Sequence, residues 1–196
     1  SLSDVAAVLD AEGNGISLKW TNNETIDRII DVVNKQVEGV LRFNVSTGKW
    51  EYKLLRDDYT FVLLPTLDES NSRLASFTRA NWSETVNAIE VSYSQRGAPD
   101  NPPPATAQDQ SNFKRQGRHK PLKLSFPGVY TPELASTIAN RELRTNGFPF
   151  SSADLITDRI AWDLLPGDPV RFQGETNLGV VDIVMRVATI SFGGLE

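Results

Sequence analysis

The chain has 196 residues, 39% of them hydrophobic and 23% charged, which suffices for one large domain or two small ones around a hydrophobic core. Its net charge of −5 argues against nucleic acid as a partner of the whole chain. The sequence contains no cysteine, so disulfides, thiolate metal sites and cysteine catalysis are excluded, and no run of about 18 apolar residues predicts a membrane-spanning segment.

The N-terminal region contains a short acidic pattern that resembles the opening of a calcium-binding loop. Asp10, Glu12 and Asn14 alternate and are followed by Gly15. The bidentate glutamate that closes such a loop would fall at Thr21, whose side chain cannot serve in that role. The pattern therefore favours a polar, glycine-rich turn.

Residues 24–37 are predicted to form the first principal helix. Apolar side chains recur there at helical spacing, namely Ile26, Ile29, Ile30, Val33 and Val37. Asn22 or Asn23 can cap the N-terminus of the helix, and Gly39 ends it. We expect its apolar stripe to pack on a sheet.

A β-hairpin is predicted to follow, with strands at residues 40–45 and 49–54 and a short connection that contains Gly48. Residues 55–64 are predicted to continue as a strand. Asp57 and Asp58 could form a carboxylate pair for acid–base or metal chemistry. Because neighbours in a strand point to opposite faces, a solvated turn is the favoured interpretation.

Residues 74–82 and 86–96 are predicted strands, joined at residues 83–85 by a candidate hairpin turn. Residues 97–120 are then predicted to be a long polar loop, since four prolines fall within six residues and polar residues fill much of the rest. We expect this segment to be the most mobile internal part of the chain.

The end of that loop concentrates basic residues, namely Lys114, Arg115, Arg118, His119 and Lys120. Such a cluster could bind phosphate or an acidic neighbour. It could also be a solvated loop whose charges contact only water, and this is the interpretation we favour. Trypsin is expected to cut this loop before the predicted helices.

The second principal helix is predicted at residues 132–146, with Thr131 as N-cap and Pro132 in the first helical position. A strand is predicted at 155–165, a tight turn at 165–169 and a further strand at 170–172, with Val170 and Phe172 on one side. The apolar residues 179–192 predict one bent strand or a hairpin.

These elements predict an α+β fold, mostly antiparallel β-sheet with two principal helices at about 24–37 and 132–146. We expect one domain over residues 1–173, with the polar loop at 97–120. Residues 174–196 are expected to form a C-terminal strand or hairpin, a candidate start of another domain. The sequence begins without methionine, so we expect a fragment of a longer parent protein.

The sequence offers little for catalysis. His119 is the only histidine, and no carboxylate lies near it in sequence. Phosphate-binding, dinucleotide-binding, zinc-protease and serine-hydrolase motifs are not present. We therefore predict no catalytic, cofactor-binding or metal-binding residues, no cofactor, and no enzymatic activity. A glycan hydrolase that uses two of the 25 acidic residues is kept as a distant alternative.

A carbohydrate- or partner-binding module is the nearer alternative. Its candidate residues are aromatic side chains that could stack on sugars if they are exposed, namely Trp50, Tyr52, Trp82 and Trp162. Each lies in a predicted strand with alternating polarity, where burial is the commoner outcome.

An ordered set of segments resembles the tail hub or tip proteins of long-tailed bacteriophages, prophages and gene transfer agents. These segments are VLRFNVSTGKWEYKLLRDD at 40–58, NAIEVSY at 87–93, PLKLSFPGVYTPELASTIANRELR at 121–144 and LLPGDPVRF at 164–172. The sequence is similar to the central region of lambda-like tail tip attachment proteins over about residues 20–173. Residues 97–120 and the chain beyond residue 174 are not matched.

The resemblance implies a structural role in a phage-type tail hub, tip or baseplate, and it supplies no catalytic residues. The implied partners are other subunits of the same parent protein, in a trimeric ring at the distal end of the tail tube, and neighbouring tail proteins. The implied location is the virion tail, or the bacterial cytoplasm during assembly.

Overall fold

In a computed structural model of the protein, residues 2–19, 25–94, 102–176 and 179–192 are described. They form an α+β fold with antiparallel and mixed sheets, which confirms the predicted fold class. The helices are α1 (Leu2–Ala11), α2 (Ile26–Val37), α3 (Gln110–Gln116) and α4 (Pro132–Asn146). The strands are β1 (Gly39–Asn44), β2 (Lys49–Leu54), β3 (Thr66–Leu67), β4 (Ser72–Arg79), β5 (Ala88–Tyr93), β6 (Ala105–Gln108), β7 (Pro121–Phe126), β8 (Ser151–Thr157), β9 (Pro169–Thr176) and β10 (Gly179–Arg186).

The chain divides into two compact units. Unit 1 comprises Ser1–Leu2, Gly39–Thr78 and Ser152–Glu196, and unit 2 comprises Ser3–Glu38 and Arg79–Ser151. Strand β9 runs through residue 173, where a boundary was expected, and pairs with β10 as an antiparallel hairpin. Among the described helices, none is long and apolar enough to cross a bilayer.

The described residues of unit 1 form three small sheets. Strands β1 and β2 form the predicted hairpin, with Phe43 opposite Trp50. Strand β9 lies between β10 and β3, antiparallel to the first and parallel to the second, and β4 pairs with β8. Val170 and Phe172 lie on one side of β9, as predicted, and are each 3% exposed in a core with Leu67 and Leu164.

Two strand predictions in unit 1 are wrong. Residues 55–64 contain a 3-10 turn at Phe61–Leu63 in place of a strand, because the charged run 56–58 breaks the alternation before it. The strand predicted at 155–165 begins earlier, as β8, and ends at Thr157. Asp158 follows β8 and leads into a 3-10 turn at Arg159–Ala161.

Unit 2 is built on a three-stranded sheet in which β5 pairs antiparallel with β6 and parallel with β7. Helix α4 packs on this sheet through four buried residues, Leu134, Ala135, Ile138 and Ala139. Its bounds match the prediction. Thr131 Oγ1 accepts a hydrogen bond from Leu134 N at 3.3 Å, and Gly147 caps the C-terminus.

Helix α2 forms as predicted over most of its length, but a different residue caps it. Thr25 Oγ1 accepts a hydrogen bond from Arg28 N at 3.4 Å, whereas Asn22 and Asn23 lie outside the described residues. Its apolar stripe is only partly covered. Val37 is 1% exposed, whereas Ile26 is 64% exposed.

The prediction of a long polar loop at 97–120 is wrong for its described part, which contains β6 and α3. Asp109 caps α3 by accepting hydrogen bonds from Ser111 N (2.9 Å) and Asn112 N (3.1 Å). The candidate hairpin turn at 83–85 is also wrong. A 3-10 turn at Trp82–Glu84 ends the predicted strand 74–82 early, and β4 and β5 belong to different sheets.

Candidate assembly surfaces

The outward side of the β1–β2 hairpin in unit 1 is apolar and exposed. Leu41, Phe43 and Val45 alternate with covered residues along β1 and the turn, and they are 37%, 45% and 72% exposed. Trp50 is 68% exposed and meets Phe43 edge-to-face, with ring centroids 5.4 Å apart. We call these four residues the hairpin face.

The opposite side of the hairpin is polar and fixed to the turn before β9. Arg42 Nη1 donates to Asp168 Oδ1 at 2.6 Å and to the carbonyl oxygen of Pro166 at 3.2 Å. Its Nη2 donates to Glu51 Oε2 at 3.4 Å, and Glu51 Oε1 accepts from Asn44 Nδ2 at 2.8 Å. Because the Arg42 side chain is only 12% exposed, this network holds the hairpin with its apolar side outward.

In unit 2, helix α3 is attached by a buried amide. Asn112 is 2% exposed, and its Nδ2 lies within hydrogen-bond distance of Val86 O (2.9 Å), Gly147 O (2.9 Å) and Thr85 Oγ1 (3.2 Å). Asn87, 1% exposed, similarly ties down the chain after α3 through Arg118 O and Lys120 N, both at 2.7 Å. Two asparagines thus fix the segment that carries the basic residues.

Those basic residues form a surface with aromatic rings. The Arg115 guanidinium lies over the Trp82 ring, 4.1 Å from its centroid, and Phe148 meets Trp82 edge-to-face at 6.0 Å. Lys120 Nζ donates to the carbonyl oxygen of Ser83 at 2.6 Å. We call Trp82, Phe148, Arg115 and Lys120, together with Lys114 next to Arg115 on α3, the basic patch. The sequence predicts the cations of this patch, but it has no local signal for Phe148 or for the Arg115–Trp82 stack.

The four aromatic residues proposed for sugar stacking have different environments. Trp50 and Trp162 are exposed, at 68% and 64%. Trp82 has Arg115 on its face, and the Tyr52 ring packs on the backbone at Gly39. Burial raises the pKa of the Tyr52 hydroxyl, against a smaller lowering by the nearby charge of Arg56. Two of the four are therefore open to a ligand.

Among the residues that the structure describes, the remaining candidates lie apart from one another. His119 lies on a depression also lined by Asp109 and Phe113, and Asp109 Oδ1 is already used to cap α3. Asp57 Oδ1 accepts from Arg186 Nη2 at 3.2 Å on the surface. Asp10 lies in α1 and not in a calcium-binding loop. Across residues 2–19, 25–94, 102–176 and 179–192, no group of three His, Asp or Glu side chains could hold a metal ion.

The chain is thus an α+β protein whose distinctive chemistry lies on exposed surfaces. It belongs to a phage tail protein family: the family model described as "Putative phage tail protein" matches residues 25–189. A search of curated proteins found no match. The chain is on this basis a component of a phage-type tail.

Solved structures of two prophage tail proteins are similar to this chain. The 43 kDa tail protein of prophage MuSo2 from Shewanella oneidensis aligns with a TM-score of 0.51 at 14% identity, over 87% of this chain and 51% of that one. Tail protein gp18 of a Listeria monocytogenes EGD-e prophage aligns with a TM-score of 0.47 at 12% identity, over 86% and 49%. The first likeness shows a shared fold. The chain spans about half the length of both proteins.

Proposed function

We propose that this protein is a structural, non-enzymatic part of a phage-type tail hub or tip, where its subunits form a trimeric ring at the distal end of the tail tube. The family match over residues 25–189 supports a tail role, and the hairpin face is the single structural observation that supports subunit contacts. Its partners are then other copies of the parent protein and neighbouring tail proteins. Its location is the virion tail, after assembly in the bacterial cytoplasm.

The hairpin face is suited to burial between subunits. Strands β1 and β2 pair only with each other within the described residues, and a two-stranded ribbon is marginal unless something packs on it. The hydrogen bonds of Arg42 to Asp168 and Glu51 already cover the polar side of the hairpin, so its apolar side is the one left uncovered. Contiguous exposed apolar surface of this kind marks protein interfaces. Residues 1–173 are proposed to act as the hub-like region. Residues 174–196, which include β10, are proposed to form its border with the rest of the parent protein.

The decisive experiment is electron microscopy of the intact tail protein, with its mass measured by light scattering. Three-fold rings are expected. Trp50→Ala should weaken the ring, whereas Phe192→Ala, which removes another aromatic side chain that is 73% exposed, should leave it intact. A strictly monomeric intact protein whose hydrolytic activity maps to this chain would overturn the proposal.

Carbohydrate binding is the second candidate, because Trp50 and Trp162 are open to solvent. Soluble fragments of bacterial surface glycan should then quench or shift tryptophan fluorescence. Loss of that response in Trp162→Phe, with ring assembly unchanged, would favour this role for Trp162. An unchanged wild-type spectrum at saturating glycan would count against it.

A further inference from the structure

We propose that a depression in unit 2 binds one neutral sugar ring in its pyranose form. We call it the His119 depression, and it is lined by Asn87, Gln108, Asp109, Gln110, Phe113 and His119. The site uses none of the tryptophans considered above for sugar stacking, and it stands or fails independently of the proposed ring.

The lining of the His119 depression is held in place by Asn87, which is 1% exposed. The carbonyl oxygen of Asn87 accepts a hydrogen bond from Asp109 N at 2.9 Å, and Asn87 N donates to Lys120 O at 3.2 Å. Its side chain binds the backbone on both sides of His119, through Arg118 O and Lys120 N at 2.7 Å each. Because one buried residue fixes the backbone at Asp109 and around His119, the site is largely preformed.

The polar side chains of the lining keep donors and acceptors for a ligand. Asp109 uses Oδ1 to cap α3, which leaves Oδ2 without a partner among the described residues. Gln110 Nε2 donates to Gln108 Oε1 at a long 3.4 Å, so in the described part of the chain Gln108 Nε2 and Gln110 Oε1 stay available. The imidazole of His119 has no hydrogen bond or ion pair with any residue that the structure describes.

The same lining disfavours other classes of ligand. No Lys or Arg of the described ranges lines the depression and one carboxylate does, so an anion such as phosphate would be repelled. A divalent cation prefers several carboxylates, whereas Asp109 is the single one here and already accepts two backbone N–H bonds. Five of the six lining residues are polar, so a purely apolar ligand would leave their hydrogen-bonding groups unpaired.

A neutral sugar ring matches what remains. The depression has a volume of about 330 Å³, at the small end of the range of about 300–1,000 Å³ typical of small-molecule sites. Carboxylate, carboxamide and imidazole groups offer both donors and acceptors, which suits the hydroxyl groups of a sugar, since each hydroxyl donates and accepts. Phe113, which is 39% exposed, adds an aromatic side chain for the apolar C–H face of the ring.

The test is an NMR titration of the chain with the methyl glycosides of glucose, galactose and N-acetylglucosamine. His119 is the only histidine in the sequence, so its imidazole C–H signals report on this depression without overlap from other histidines. At fixed pH, at least one glycoside is expected to shift these signals saturably with a Kd of about 1–10 mM, because an open site makes few contacts with one sugar ring.

Two variants remove separate parts of the site. Phe113→Leu keeps an apolar side chain on α3 but removes the aromatic ring, and the Kd should rise roughly tenfold. Gln108→Ala, at an exposed position on β6, removes one carboxamide and should raise the Kd about threefold or more. Gln108→Ala keeps the test decisive even where Phe113→Leu disturbs α3, which the amide spectrum of each variant reveals.

The matched control is Phe148→Leu, which changes another exposed phenylalanine of unit 2 that does not line the depression. Its Kd should equal that of the wild type. The inference is overturned when no glycoside gives a saturable shift at tens of millimolar, or when Phe148→Leu weakens binding as much as Phe113→Leu does. It is also overturned when Trp50→Ala combined with Trp162→Ala abolishes the shift, because the sugar then binds at the tryptophans.

Discussion

The buried amide of Asn112 gives the sharpest prediction for stability. Replacement by alanine removes the donor to Val86 O and Gly147 O, both at 2.9 Å, at a residue that is 2% exposed. A buried carbonyl left without a partner costs about 1–3 kcal/mol, and because the bond to Val86 O is only part-buried we expect Asn112→Ala to lower the free energy of unfolding by about 2–4 kcal/mol. At a slope near 2 kcal/mol per molar urea, the midpoint falls by about 1–2 M.

The matched control is Asn140→Ala, on the exposed side of α4. The Asn140 amide donates to Ser136 O at 2.9 Å in a solvent-exposed position, where alanine costs about 0.5 kcal/mol or less. Urea unfolding followed by circular dichroism measures both variants, and hydrogen exchange localises the effect. Asn112→Ala should lose amide protection in β6 and α3. Equal stability of the two variants, with protection retained there, would refute the reasoning.

Three further outcomes follow from the described contacts. Arg171 donates to Asp182 at 2.6 and 2.8 Å and, with a weaker contribution from Gln173, lowers the pKa of Asp182 to about 2. The stabilisation of the fold by this ion pair is therefore fully present above the ordinary carboxyl pKa and is lost as pH falls through about 2. Carboxyl NMR should show that midpoint, and the stability difference between wild type and Asp182→Asn should vanish at lower pH; a midpoint near 4 would contradict the pairing. Trypsin should cut slowly after Lys114 and Arg115, because both lie in α3, in contrast to what the loop composition predicts; immediate cleavage there would argue against α3. Acrylamide should quench the fluorescence of Trp50 and Trp162 strongly and that of Trp82 weakly, as measured in single-tryptophan variants. Equal quenching of the three would contradict the stack of Arg115 on Trp82.

The sequence predicted those elements whose stability is local. Helix α4 has a capping threonine, a proline in its first turn and an apolar stripe, and all three signals agree on its bounds. The β1–β2 hairpin has alternating residues on both sides of Gly48, whose φ of +64° suits a glycine. Such signals can be read from neighbouring residues without knowledge of the tertiary fold.

The residues that were misjudged are stabilised by distant partners. Asn112 counts as a polar loop-former by composition, yet it is buried because backbone carbonyl groups far along the chain accept its hydrogen bonds. Asn87 likewise holds the segment after α3 through Arg118 O and Lys120 N. Strand β6 is short and gains its stability by pairing with β5. The interpretation of residues 97–120 as a loop failed for this reason, and the stack of Arg115 on Trp82 could not be predicted.

Two segments that carry the resemblance contact each other in the structure. Arg42 comes from the hairpin segment at 40–58 and Asp168 from the turn segment at 164–172, and their side chains meet at 2.6 Å. Asp168 Oδ2 also accepts from Leu165 N at 3.0 Å, so one carboxylate both shapes the turn and fixes the hairpin. The Pro-Gly-Asp turn is therefore needed to present the hairpin face. A substitution at Asp168 should disturb assembly through the hairpin even though Asp168 itself lies on the covered side.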